Sequence, residues 1–211
     1  MTSDSAQYDV HDGEPPLVVH NVRTVFQERG GAEYRVEAVD VTVRDTGQPF
    51  TFHVTSVKGG RPGAVCMALT PATNGHQRSF LLARHWRVST GEWEWEFPRG
   101  MGEDGETATQ TAIREFHEET GMAVNPNQVT ILQTMHADTG VLRDSIAVAR
   151  IEIDSGTAGV RSVLSGDTDW ELSSMRWIPE PVLRHMVSTG QIVDGITLAA
   201  LAIELCRTMP K

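Results

Sequence analysis

The stretch Gly100 to Met122, GMGEDGETATQTAIREFHEETGM, constrains this chain more than any other. Its second half has the form of a capped helix. Thr107 supplies an N-cap, and Gln110 three residues on completes a capping box. Gly121 supplies the left-handed residue at which a helix stops. The spacing predicts a helix from about Thr107 to Thr120. At roughly 100° per residue, Glu115, Glu118 and Glu119 fall within one arc of about 100°. Carboxylates so close repel one another, and like charges four residues apart cost a helix about 0.2–0.5 kcal/mol. Arg114 reaches Glu118 but cannot neutralise all three. The simplest missing partner is a hard divalent cation, Mg²⁺ or Mn²⁺, which prefers carboxylate oxygens.

Three glutamates on a helix are more often a solvated face. Their surroundings argue otherwise. Ala112 and Phe116 lie beside the acidic arc four residues apart, so one flank of the helix packs while it presents its acids. Before it, Phe97-Pro98-Arg99-Gly100 reads as a strand end entering a loop with Gly100, Gly102 and Gly105. Small residues let the backbone approach closely, so strand, glycine loop and acidic helix make a cradle for a metal and a phosphate.

These residues resemble the signature of the Nudix hydrolases, G-x5-E-x7-R-E-U-x-E-E-x-G-U, where U is bulky aliphatic or aromatic. Gly100, Glu106, Arg114, Glu115, Phe116, Glu118, Glu119, Gly121 and Met122 fill every fixed position, with Phe116 the least usual. The resemblance implies an α/β fold, an α/β/α sandwich with a mixed sheet. It implies hydrolysis of a nucleoside diphosphate linked to a further group. Glu115, Glu118 and Glu119 would ligate the metal, with the Gly100 carbonyl as a further ligand. Arg114 and Glu106 would orient the acids from behind.

The net charge of −10 argues against a general nucleic-acid or membrane-surface role. There is no run of about 18 apolar residues, so no membrane span is expected. The N-terminal MTSDSAQYDVHDGEPP is polar and acidic, unlike a signal peptide, and a cytoplasmic protein is expected. Cys66 and Cys206 both stand in apolar stretches and read as buried free thiols.

Residues 1–16 read as a tail, 17–58 as an antiparallel β subdomain and 59–211 as the Nudix domain. Strands are expected at Leu17–Val19, Val22–Phe26 and Tyr34–Val43, then at Ala64–Leu69, Ser79–Arg84 and Trp93–Phe97. After the box, strands are expected at Val129–Gln133, Ser145–Ile153 and Met175–Ile178. Pro179-Glu180-Pro181 begins a helix that runs to about Ser188, and Asp194 caps a last, largely apolar helix. Such a helix usually lies in the core, with a dimer contact as the second reading.

Three features are similar to the ADP-ribose pyrophosphatase branch. These are the β-rich N-terminal segment, which in that branch helps to build a homodimer, Arg84-His85-Trp86-Arg87 ahead of Glu96-Phe97-Pro98, and the ending from Gly190 to Leu201. Arg84 and Arg87 are candidates to clamp a phosphate or a carboxylate, and Trp86 is a candidate base-stacking surface. Resemblance to the branch places the general base in the loop before the Met175 strand, at Glu171 or Asp169, with Glu118 or another helix acid as the alternative. The departures are Arg99 where the branch has Ala, His85 and Trp86 for Gln and Tyr, and Ile196 for Lys. ADP-ribose, cleaved to AMP and ribose 5-phosphate, leads as substrate. Other nucleoside diphosphate sugars or dinucleoside polyphosphates are alternatives, as is a Nudix ligand-sensing module without hydrolysis.

Overall fold

The computed structural model describes residues 13–72, 77–154 and 172–208. The chain divides into two units, one running up to Gly59 and taking in Gly140–Arg143, the other holding the remaining residues from Gly60 on.

The first unit is a three-stranded antiparallel sheet, β1 (Leu17–Gln27), β2 (Arg35–Val43) and β3 (Pro49–Ser56), in that order. The two short strands expected at Leu17–Val19 and Val22–Phe26 are one strand. Its register shifts between Val19 and Asn21 and again between Thr24 and Phe26, which absorbs the polar His20-Asn21 interruption as a bulge. β3 is an element that the sequence reading did not single out.

The second unit carries a seven-stranded mixed sheet. Its strands are β4 (Gly63–Thr70), β5 (Ser79–Arg87), β6 (Glu92–Glu96), β7 (Arg99–Met101), β8 (Val129–Met135), β9 (Ile146–Glu152) and β10 (Leu172–Pro179). The main path is β10-β5-β4-β9-β8, with β4 and β9 parallel and the other pairs antiparallel. Helix α1 (Ala108–Thr120) packs on one face, and α2 (Glu180–Ser188) and α3 (Gly195–Thr208) on the other. Alternation along the strands sorts the core. Ala64, Cys66 and Leu81 meet Ala112 and Phe116 of α1, whereas Val65, Met67, Phe80 and Leu82 meet Leu183, Ala200 and Leu201 of α2 and α3. The result is the expected α/β/α sandwich.

One departure from a plain sheet positions the site. β4 and β5 pair only at Leu69–Phe80 and Thr70–Ser79. Beyond these residues β6 pairs with β5 and β7 pairs with β4, so the chain from Glu96 to Gly100 fills a fork between them. The Cys66 N–H closes the crossing with a 2.7 Å hydrogen bond to the Pro98 carbonyl. Gly100, expected in a loop, is therefore the middle residue of a short strand. Cys66 is buried as expected, but Cys206 is exposed, because it lies on the outer side of α3.

Candidate active site

α1 begins and ends where its caps dictate. The Thr107 hydroxyl accepts from the Gln110 N–H, the Gln110 side chain accepts from the Thr107 N–H, and Gly121 has φ 70°. Such a box is worth about 0.5–2 kcal/mol and fixes the helix phase, which sets where each glutamate points.

Arg114 organises the acids. Its Nε and Nη2 donate to both oxygens of Glu106 at 2.8 and 2.9 Å, and Nη2 also donates to the Met101 carbonyl at 2.9 Å. Nη1 donates to Glu115 at 2.8 Å and to Glu118 at 3.0 Å. Glu106 accepts further from the Glu103 N–H and the Thr111 hydroxyl, at 2.8 and 3.0 Å. The Arg114 guanidinium, with these donors, pulls the Glu106 carboxyl down to about 2. Glu106 and Arg114 thus form a fixed charged pair that ties α1 to β7.

The three helix acids stand in different environments. The Glu118 side chain is 56% exposed, against 12% for Glu115 and 16% for Glu119. Burial raises the pKa of Glu115, partly offset by Arg114. Burial, reinforced by the Glu115 charge, pushes Glu119 up to about 8, although the Arg99 backbone and the Arg87 and Arg99 charges oppose the shift. Glu119 Oε2 is buried and makes no hydrogen bond, and His85 Nε2 lies 3.9 Å from it. An unsatisfied buried acceptor costs on the order of 1–3 kcal/mol.

Among the described residues, no three His, Cys, Asp or Glu side chains converge closely enough to hold a metal ion. Arg114 draws Glu115 and Glu118 to itself instead. The donors nevertheless fit a hard divalent cation. Glu119 keeps a buried, unsatisfied oxygen, and Gly100 has no side chain to separate its backbone from the Glu115 carboxylate.

The candidate substrate residues do not form one clamp. Successive residues of β5 point to opposite faces. His85 and Arg87 stand on the α1 face, with His85 facing Glu119 and Arg87 pairing with the buried Glu96 at 2.8 and 2.5 Å. Arg84 and Trp86 stand on the other face. The Arg84 guanidinium lies 5.3 Å from the Trp95 ring centre, and Trp86 packs edge-on against Trp93. Glu171 and Asp169 lie outside the described residues. The reading from sequence passed over Glu96 and Asp194 as partners of arginine. The alternation of charge and bulk in Arg84-His85-Trp86-Arg87, set against Trp93-Glu94-Trp95-Glu96, was the available signal.

The fold and this box define a class, and comparison with known proteins agrees. The NUDIX domain family model matches residues 61–192, and the chain belongs to the Nudix family. One relative is the CMP-5'-(N-acetyl-N-hydroxy-3-aminopropyl)phosphonate hydrolase of Streptomyces rubellomurinus. It is 29% identical over 144 residues, which cover 67% of this chain and 64% of that protein. The ADP-sugar pyrophosphatase of Mus musculus is 29% identical over 109 residues, covering 52% of this chain and 49% of that protein. The chain thus spans less than two thirds of the length of either relative. A crystal structure described as an ADP compounds hydrolase superposes with a TM-score of 0.67, covering 92% of this chain and 94% of that one. At 20% identity that likeness shows the fold.

Proposed function

We propose that the chain hydrolyses the pyrophosphate bond of a nucleoside diphosphate derivative, with ADP-ribose as the leading substrate and AMP and ribose 5-phosphate as products. The observation that carries this reading is the arrangement around Arg114, which fixes Glu106 and Glu115 beside a glycine strand and leaves a buried acceptor on Glu119. The name of the mouse relative supports an ADP-linked substrate. The name of the Streptomyces relative, a hydrolase of a CMP-linked phosphonate, favours a second reading with another nucleoside.

Glu115, Glu118 and Glu119, with the Gly100 carbonyl, would hold Mg²⁺ or Mn²⁺. When bound, the cation would supply a more acidic water and positive charge against the phosphoryl oxygens. Arg114 orients Glu115 and opposes the burial that raises its pKa. Arg87, already paired with Glu96, adds positive charge on the same face as Glu119. Water attacks one phosphorus, a new P–O bond forms, and the bridging P–O bond breaks with its oxygen leaving on the other phosphate. Glu171 or Asp169 would take the water proton, with Glu118 as the helix alternative.

We further assign a second copy of the chain as partner. Val19, Val22, Phe50 and Phe52 are 58%, 50%, 46% and 46% exposed. Val19 and Phe50 both pair with Val41, and Val22 and Phe52 both pair with Val39, so all four share one face of the first unit's sheet. Such an apolar face marks an interaction surface. No helix among the described residues is long and apolar enough to cross a membrane.

The test is incubation with Mg²⁺ and a panel of ADP-ribose, other nucleoside diphosphate sugars, dinucleoside polyphosphates and nucleoside triphosphates, with chromatography of the products. AMP plus ribose 5-phosphate supports the leading reading. Cleavage of another member replaces the substrate, and no cleavage by folded protein favours a ligand-sensing module.

A further inference from the structure

The crossing from β6 to β7 carries a charged cluster of which the proposed reaction uses only Arg87. Glu96 is 1% exposed and pairs with two arginines, Arg87 and Arg99. Arg99 Nη2 lies 2.8 Å from Glu96 Oε2, and its Nη1 lies 3.2 Å from both oxygens of Asp194. Asp194 in turn accepts from the Thr197 N–H at 2.8 Å and so caps α3. Thr197, 1% exposed, accepts from the Phe97 N–H at 3.1 Å. The first turn of α3 therefore grips the crossing at two points, the Phe97 backbone and the Arg99 side chain.

The other end of Arg99 faces the acids. Its backbone hydrogen-bonds Glu119, and the next residue, Gly100, lies against the Glu115 carboxylate. Two arginines and two carboxylates balance in charge, and a guanidinium shared between two acids has a fixed plane. A shift of the Arg99 guanidinium is thus carried through its own side chain to the backbone that holds Glu119.

We propose that Arg99 is a positioning residue, and that its clasp on Asp194 lets the first turn of α3 set the place of Glu119. This rests on the reading that Glu119 is a metal ligand. Groups that orient ligands from behind are worth about 10–100-fold in metal affinity when removed.

The test is Mn²⁺ binding by electron paramagnetic resonance titration of the full chain, as wild type, Arg99→Ala and Asp194→Asn. Asn caps a helix about as well as Asp. Asp194→Asn therefore keeps the bond to the Thr197 N–H and removes only the charge that Arg99 clasps. The expected result is Mn²⁺ affinity about tenfold weaker in both variants, with the double variant no weaker than Arg99→Ala, and a melting temperature of Asp194→Asn close to wild type. Folded variants with unchanged Mn²⁺ affinity overturn the clasp while leaving the metal reading in place. Wild type that binds no Mn²⁺ overturns the metal reading and the clasp with it. Should Arg99→Ala fail to fold, Asp194→Asn decides alone.

Discussion

Gly100 lies flat against Glu115: a β-carbon at that position would overlap the Glu115 carboxylate. The strand pairing of Gly100 with Ala64 holds the backbone there, so the carboxylate would have to move. Gly100→Ala is expected to push Glu115 off Arg114. We expect pyrophosphate hydrolysis to fall by about 100-fold, with about 1–3 kcal/mol lost in urea unfolding. Unchanged kinetics in the variant would show that the Glu115 position does not matter.

Arg114 grips Glu106 through two nitrogens and reaches the Met101 carbonyl with one of them. A lysine supplies one point charge and cannot make that fork. Arg114→Lys is therefore expected to lower kcat/KM by about 10–100-fold and to loosen α1 from β7. Steady-state kinetics with thermal melting check both parts.

Glu96 is the buried partner of Arg87 and Arg99. Glu96→Gln removes the charge and leaves two arginines with an amide. Breaking a buried pair in this way costs about 3–5 kcal/mol, and the partial exposure of both arginines places the expected loss near the lower end. Urea unfolding measures it.

The acids predict opposite pH effects. Glu106 has its folded pKa lowered from 4.5 to about 2, so it adds stability above 4.5 that is lost as pH falls through about 2. Glu119 is raised from 4.5 to about 8, so the folded chain holds a proton that the unfolded chain releases. Its contribution is full below 4.5 and declines as pH rises toward about 8. The metal-free protein is expected to melt at lower temperature near pH 8 than near pH 6, a fall that Glu119→Gln flattens. An equal fall in that variant would assign the effect to another group.

The parts of this fold that were legible in sequence are those that local chemistry decides. The Thr107–Gln110 box and Gly121 fix α1 without help from distant residues, and Asp194 caps α3 in the same way. Elements that depend on distant pairing were harder to read. β7 is three residues long and exists because β4 lies beside it, so Gly100 looked like loop. β1 looked broken at His20-Asn21 because a bulge hides the continuity of its pairing with β2. The box acids were legible from spacing, but the separation of Arg87 from Arg84 and Trp86 needed knowledge of which helix covers which face of β5. The same holds for Arg99, whose partners Glu96 and Asp194 are brought together only by the crossing in the fork.

The most direct test of the central claim is hydrolysis of ADP-ribose in ¹⁸O-labelled water with Mg²⁺, read by mass spectrometry. The account predicts one ¹⁸O on the phosphate of either AMP or ribose 5-phosphate, no reaction when the metal is chelated, and loss of activity in Glu119→Gln. Product formation that survives chelation, or label in ribose alongside unlabelled ADP, would contradict it.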